Sequence, residues 1–468
     1  MISNAKYKEL NILFIIANVC LITSLIVGKG IQSYYNLIFL STVLTTVCVL
    51  VTISKKNDYL NPSVWFSWGI TLYSTASPIL FILGYDFNRN ITMEYRVYSL
   101  ELAIISVFII NMISGLSKPN TSFKIGSKDN IVYNGCIIIM PILLFFGAIV
   151  LLVFLRSGIS TKGDKLLYGS KLANADFIFT CQTVIFSFIY AYNKRLGFKF
   201  KPIITIILTI YFALTFLILG ERDIIIRFIL VIGLIYYLLG NNKQKHYFRT
   251  GILVCLFSIS ILQPLKNALV KENSVVYEVS EFSGALKQSN NSLHSLFLIL
   301  YGSEFRSAGE NLGILLTRTN NQFDYGYGKI FLNELSLVFQ SSLFGRREGN
   351  ESLTFWFART FYPSSYDKGH GFGFTIIGQG LLDGGLLGVI VLISLISFLT
   401  TKLYKNSQQS IFMLCLYINL LPLMLYSIRG TIGTIVSPFI KHVLVFLILA
   451  LVIGKTVNNN RYIHKMYK

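Results

Sequence analysis

Tyr366-Asp367-Lys368-Gly369-His370-Gly371-Phe372-Gly373-Phe374-Thr375-Ile376-Ile377 joins a long polar segment to a long apolar one. Upstream, from about Lys266 to Lys368, the chain is mixed and polar. Downstream it is apolar from Phe374 to Leu399. Elsewhere, apolar stretches alternate with short polar loops. Stretches of about 20 such residues cross a hydrocarbon core roughly 30 Å thick, and in lipid only a helix satisfies its own backbone. The expected fold is therefore all-α, a polytopic integral membrane protein. It has about 12 transmembrane helices and one large loop outside the membrane containing short helices, which the resemblance drawn below makes a large periplasmic loop.

Composition agrees. Of 468 residues, 53% are hydrophobic and only 13% charged, against about 25% charged in soluble domains. Mean hydropathy is +0.62. The net charge of +20 would suggest nucleic acid in a soluble protein. Here it reflects Lys and Arg held in cytoplasmic loops, and no nucleic-acid partner is expected. The first apolar segment lacks a small-residue cleavage site and reads as a retained helix. Cys20, Cys48, Cys136, Cys181, Cys255 and Cys415 all fall in apolar segments, so neither a disulfide framework nor a zinc site is expected.

Helices are expected near Leu10–Val27, Tyr35–Ile53, Pro62–Leu83, Tyr98–Leu116, Ile131–Leu155, Phe177–Tyr192, Pro202–Leu219, Ile224–Leu239, Gly251–Leu265, Phe374–Leu399, Ile411–Tyr426 and Pro438–Ile453. Three regions follow: residues 1–265 with the first nine helices, 266–370 as the large loop, and 371–468 with the last three. Placing both termini in the cytoplasm puts the richer basic loops inside, among them Lys55-Lys56, Lys194-Arg195 and Lys402 with Lys405. The large loop then faces outward. The loop itself contains two helix-like stretches, Ser292–Thr317 and Ile330–Phe344. In the second, Ile330, Phe331, Leu335, Val338 and Phe339 form an apolar face suited to the interface or to capping a cavity.

Outer basic residues are not explained by that charge rule. Gly220-Glu221-Arg222-Asp223 is a short outer turn, and Arg227 lies about 7.5 Å deeper at 1.5 Å per residue. Guanidinium forks suit phosphate, and an ion pair with Glu221 or Asp223 is the alternative. Ser427-Ile428-Arg429-Gly430 places a second Arg at an outer helix end. Lys441 and His442 follow Pro438 near the expected start of the last helix, where snorkelling is the alternative. Gly345-Arg346-Arg347-Glu348 offers paired cations at a helix end, ahead of the aromatic Phe355-Trp356-Phe357. His370, among Gly369, Gly371 and Gly373, combines an imidazole that titrates near neutrality with backbone that lets a ligand approach. The glycines Gly378, Gly380, Gly384 and Gly385 follow no strand, so they are no nucleotide fingerprint and suit close helix packing.

Together these features resemble the Wzy-type O-antigen polymerases. The features are Gly220-Glu221-Arg222, the large late loop, Gly345-Arg346, His370 with Phe374-Thr375-Ile376-Ile377-Gly378, and the late Arg429. The resemblance covers essentially the whole chain. It implies a metal-independent glycosyltransferase of the inner membrane, related to GT-C lipid-linked sugar transferases and needing no cofactor. The growing surface polysaccharide would pass from undecaprenyl pyrophosphate to a sugar hydroxyl of a lipid-linked repeat unit in the periplasm. Membrane lipid, a chain-length regulator and a flippase would be its partners. In that chemistry His370, Arg222 and Arg429 are the catalytic candidates. Arg346, Arg347, Arg227 and Lys441 would bind pyrophosphate, with Glu348 and Glu351 as alternative bases. Two other classes stay open: an O-antigen ligase, and a flippase for the same lipid-linked units.

Overall fold

α1 (Asn4–Gly28) and α2 (Ser33–Ser54) form the first antiparallel pair. Both are apolar almost all round, as helices in lipid must be. Ala17 and Leu21 are buried against the neighbouring helices, while Ile12 and Ile26 stay 55% and 68% exposed on the outer side. α3 (Pro62–Ile82) and α4 (Met93–Ser114) complete a first group, followed by α5 (Ser127–Ser157), α6 (Phe177–Arg195), α7 (Pro202–Leu219) and α8 (Arg222–Leu239). The computed structural model describes residues 4–56, 58–86, 91–118, 126–157, 177–197, 202–219, 222–240, 305–322, 324–340, 352–366 and 373–466. Among these, every regular element is a helix. The expected ninth helix, Gly251–Leu265, lies outside them.

The polar segment contributes α9 (Arg306–Gln322), α10 (Lys329–Gln340), α11 (Leu353–Phe361) and the single turn α12 (Pro363–Tyr366). None of the first three merely rests on the surface. Ala308, Leu312, Leu315 and Leu316 bury one face of α9 against α3 and α4. Phe357 of α11 is fully buried beside Phe374, with ring centroids 5.0 Å apart. Residues of α9 and α11 thus belong to the same apolar core as α1–α4. A second core joins α5–α8 to α14 (Ile411–Ser427) and to the chain's last long helix.

Between them runs α13 (Ile376–Asn406), which departs from the single helix expected here. Its backbone breaks at Gly384 (φ −173°, ψ 33°) and Gly385 (φ 61°, ψ −145°). The second conformation is open essentially to glycine alone. Ile376–Asp383 is therefore a short helix of its own, buried throughout, and the exposed apolar positions begin only at Leu386 and Leu387. Irregular backbone at such a place is tolerated because protein surrounds it. Gly380 lies against the Gly388 backbone across this break, whereas a Cβ on Gly384 would meet nothing within 4 Å.

The end of the chain also differs. Pro438 was expected to open the last helix, which instead begins at Ile432 with α15 (Ile432–Pro438). It passes through a π-helical turn at Phe439–Leu444 and runs on as α16 (Val445–Met466). Proline has no N–H to offer the preceding turn, and a widened turn follows directly. Lys441 and His442 thereby sit nine and ten residues inside the helix rather than at its start.

Among the described residues, six helical stretches are long and apolar enough to cross a membrane: Glu9–Gly28, Ser33–Ser54, Met93–Ser114, Ser127–Arg156, Ile376–Asn406 and Ile432–Asn459. α5 and α16 approach to backbone contact. A Cβ on Gly135 would lie 1.9 Å from the Ala450 carbonyl oxygen, and one on Gly454 1.8 Å from that of Ile131. Neither oxygen can move without shifting its helix. Gly454→Val is thus expected to lower the thermal unfolding midpoint of the purified protein by several degrees, a loss of roughly 1–3 kcal/mol for overpacking. Gly30→Val meets only an ordinary contact at 3.7 Å and serves as the control. Equal midpoints for both variants would contradict the packing.

Candidate active site

α14 ends at Ser427, α15 begins at Ile432, and the turn between them carries Arg429. The Arg429 amide donates to the Tyr426 carbonyl at 3.1 Å. Its side chain lies against Gly373, where a Cβ would come within 2.4 Å of Arg429 Cγ, so any other residue there would have to displace the arginine. The segment that leads into the apolar helix is thus in direct contact with Arg429. Asn311 of α9 donates from Nδ2 to the Gly373 carbonyl, and the Tyr362 hydroxyl donates to Asn311 Oδ1 at 3.2 Å. Asn311 and Tyr362 thus hold Gly373, and Gly373 lies against Arg429.

Buried polar side chains hold this turn in place. Gln379, in the short helix before the glycine break, accepts from the Ile432 amide at 2.9 Å through Oε1. Glu334 of α10 is 1% exposed. Its Oε1 accepts from the Leu353 amide at 2.5 Å, at the start of α11. Its Oε2 accepts from the Thr431 hydroxyl, and the Gly433 amide donates to the same carboxylate. One carboxylate thus satisfies the first turns of two helices, where backbone donors have no intrahelical partner. Burial pushes the Glu334 carboxyl above its usual range, with the three donors pulling against it. Asp383 does the same for α10, accepting from the amides of Gly328, Ile330 and Phe331 at 3.0, 3.2 and 2.9 Å.

α9 is tied in by charge as well. Arg96 is 3% exposed, pairs with Asp86 at 2.7 Å, donates to Ser77 Oγ at 3.0 Å and lies over the Phe81 ring. The Glu310 charge acts on Arg96 across the helix boundary, and Glu310 pairs with Arg306 at 3.4 Å. A small cavity lies between these elements and the Arg429 turn, lined by Tyr73, Ser74, Gly309, Leu312, Thr375 and Ile428.

A second cationic place lies where α6, α8 and the π turn meet. Arg227 donates to Thr180 Oγ1 at 3.1 Å and pairs with Asp223 at 3.2 Å. The charges of Arg227 and Lys441 both act on His442, whose ring stacks on Phe177. Along the helix, Lys441 is nine residues from Ile432, about 13 Å at 1.5 Å per residue. The two places are separate.

Of the residues expected from sequence, Arg429 is brought to the re-entry, and Arg227 and Lys441 are brought near one another. Arg222 opens α8, and its side chain lies outside the described residues. So do His370, Arg346, Arg347, Glu348 and Glu351. Glu334 was not anticipated. The signal was present, because it falls between Phe331, Leu335 and Val338 on the apolar face of α10, where a carboxylate demands a partner. α10 was expected to lie on the interface or to cap a cavity. It packs instead against α15, through that carboxylate and Val338. Among the described residues no three His, Cys, Asp or Glu side chains cluster in a way that could hold a metal ion.

The family model for the O-antigen polysaccharide polymerase Wzy matches residues 10–461. The chain belongs to that family. The match spans both cores, α9–α12 of the polar segment and the Arg429 turn. As a Wzy polymerase it is a multi-pass protein of the inner membrane acting in polysaccharide biosynthesis on lipid-linked oligosaccharide repeat units. Neither the search of curated proteins nor that of solved structures returned a match.

Proposed function

We propose that this chain lengthens a surface polysaccharide by moving the growing glycan from undecaprenyl pyrophosphate onto a sugar hydroxyl of a new lipid-linked repeat, on the periplasmic face. The contact between Arg429 and Gly373 carries the proposal. It sets a guanidinium beside the re-entry, three residues from His370. The bond to be broken joins an anomeric carbon to a pyrophosphate, and negative charge develops on the departing oxygen. Fixed cationic donors aimed at that charge lower the barrier. Arg429, with Arg222, Arg346 and Arg347, serves this role. His370 takes the proton from the acceptor hydroxyl or orients the pyrophosphate, with Glu348 and Glu351 as alternative bases. The reaction needs no metal and no nucleotide sugar, as in GT-C transferases.

Two lipid pyrophosphates are present whenever two lipid-linked units are joined. The two cationic places suit this, with Arg227 and Lys441 binding pyrophosphate closer to the membrane. Twelve crossings with both termini in the cytoplasm, and α9–α12 on the periplasmic side, put both places on the face where such units are joined. A chain-length regulator and a flippase supply partners at that face. A variant with cysteine at exposed Asp324 is expected to react with an impermeant thiol reagent added to intact spheroplasts. Reaction only after lysis would reverse the orientation.

The function itself is tested with the purified chain and lipid-linked repeats alone. Polymer is expected without lipid A core and in the presence of a chelator. Product that forms only when lipid A core is added would instead identify an O-antigen ligase.

A further inference from the structure

His442 follows Lys441 in the sequence, and the function proposed above does not use it. Its surroundings give it work. The helix that carries it widens into a π turn over Phe439–Leu444, a rare form that recurs at functional sites. The imidazole is fixed by stacking on Phe177, with centroids 5.5 Å apart and planes at 22°. Its Nδ1 is buried, and among the described residues it has no hydrogen-bond partner. Buried polar atoms are paired in the great majority of cases, and an exception calls for a reason.

The surroundings of that nitrogen are cationic. Arg227 commits two of its five N–H donors to Thr180 and Asp223, which hold the guanidinium at 3.1 and 3.2 Å. Lys441 adds a second positive charge from the same π turn as His442. Among the described residues, one Asp carboxylate stands with two cations, which favours an anion. An oxyanion fits, and a cation does not. The levels agree with a lipid headgroup. Thr180 is three residues into α6 and Arg227 five into α8, about 5–8 Å below the helix starts at 1.5 Å per residue. Phe177, the ring under His442, is the first residue of α6.

We infer that His442 binds a phosphate oxygen of a lipid pyrophosphate held by Arg227 and Lys441, and that the π turn exists to aim the imidazole at it. This rests on the pyrophosphate role given above to Arg227 and Lys441. A neutral imidazole donates one N–H to the oxyanion. The polyprenyl chain leaves the site between helices and the glycan extends toward the Arg429 turn.

The test uses the purified full chain and farnesyl pyrophosphate as the probe, with farnesol as control, in a direct binding titration. His442→Ala is expected to weaken the pyrophosphate about tenfold or more, the effect of a lost hydrogen bond to a charged group. His442→Gln, which keeps an N–H donor, is expected to lose less than about threefold, and farnesol binding to stay unchanged. Unchanged probe affinity in His442→Ala, with loss in Arg227→Ala, would overturn the role of His442 alone. Unchanged affinity in both variants would overturn the pyrophosphate role of Arg227 itself. A loss shared equally by farnesol, or full loss in His442→Gln, would reduce His442 to a packing residue.

Discussion

Cells whose only polymerase is the Arg429→Ala variant are expected to make no polysaccharide ladder, with the protein at its normal level in the membrane. The residue stands on a turn rather than in a core, and it is only partly buried. The turn is held by other groups. Gln379 caps the Ile432 amide, Glu334 binds Thr431 and Gly433, and the Thr434 hydroxyl accepts from the Thr431 amide at 3.2 Å. Truncating Arg429 leaves all of these intact, so the fold persists. What disappears is a planar, permanently charged fork beside Gly373. Loss of one preorganised donor to a developing oxyanion costs about 10²–10³ in rate, enough to erase a ladder whose every step repeats the reaction. Arg429→Lys keeps the charge but not the fork, and an intermediate ladder is expected from it. A normal ladder from Arg429→Ala would remove the residue from the chemistry.

Glu334→Ala is expected to fail differently, by lowering the amount of folded protein. The substitution leaves three donors unpaired in a buried place, the amides of Leu353 and Gly433 and the Thr431 hydroxyl. A buried donor without an acceptor costs roughly 1–3 kcal/mol. Three of them are comparable with the whole stability of many domains, about 5–15 kcal/mol. Glu334→Gln keeps one acceptor oxygen but turns an N–H₂ toward donors, and a smaller loss is expected. The measurement is the thermal unfolding midpoint of detergent-purified protein, in the order wild type, Gln, Ala. Identical midpoints would show that the carboxylate does not join α10 to the Arg429 turn.

These two residues also show what the sequence made legible. Arg429 could be singled out because the charge rule that explains basic residues of inner loops does not cover an Arg at a helix end expected to face outward. The helices were readable because apolar length in lipid admits one backbone answer. Glu334 was harder, since its partners lie 19 residues away at Leu353 and 97 away at Thr431, and only folding reveals them. The break at Gly384-Gly385 was hidden for another reason. A pair of glycines suits close packing and left-handed backbone equally well; here Gly385 takes the positive φ, and the close backbone approach falls to Gly380 and Gly388. The π turn had no composition of its own beyond Pro438. The polar segment looked like a lid over the bundle. Its apolar positions instead give α9 and α11 a share of the core, which is how Asn311 and Tyr362 come to hold Gly373 against Arg429.

The central claim is that the growing chain leaves its own lipid pyrophosphate at the Arg429 turn. It is tested most directly by giving the purified protein a preformed chain on a tagged polyprenyl pyrophosphate, with single repeats on untagged lipid. The account predicts that tagged lipid pyrophosphate is released, that the lengthened glycan appears on untagged lipid, and that Arg429→Ala does neither. A lengthened glycan still attached to the tagged lipid, or equal release from Arg429→Ala, would contradict it.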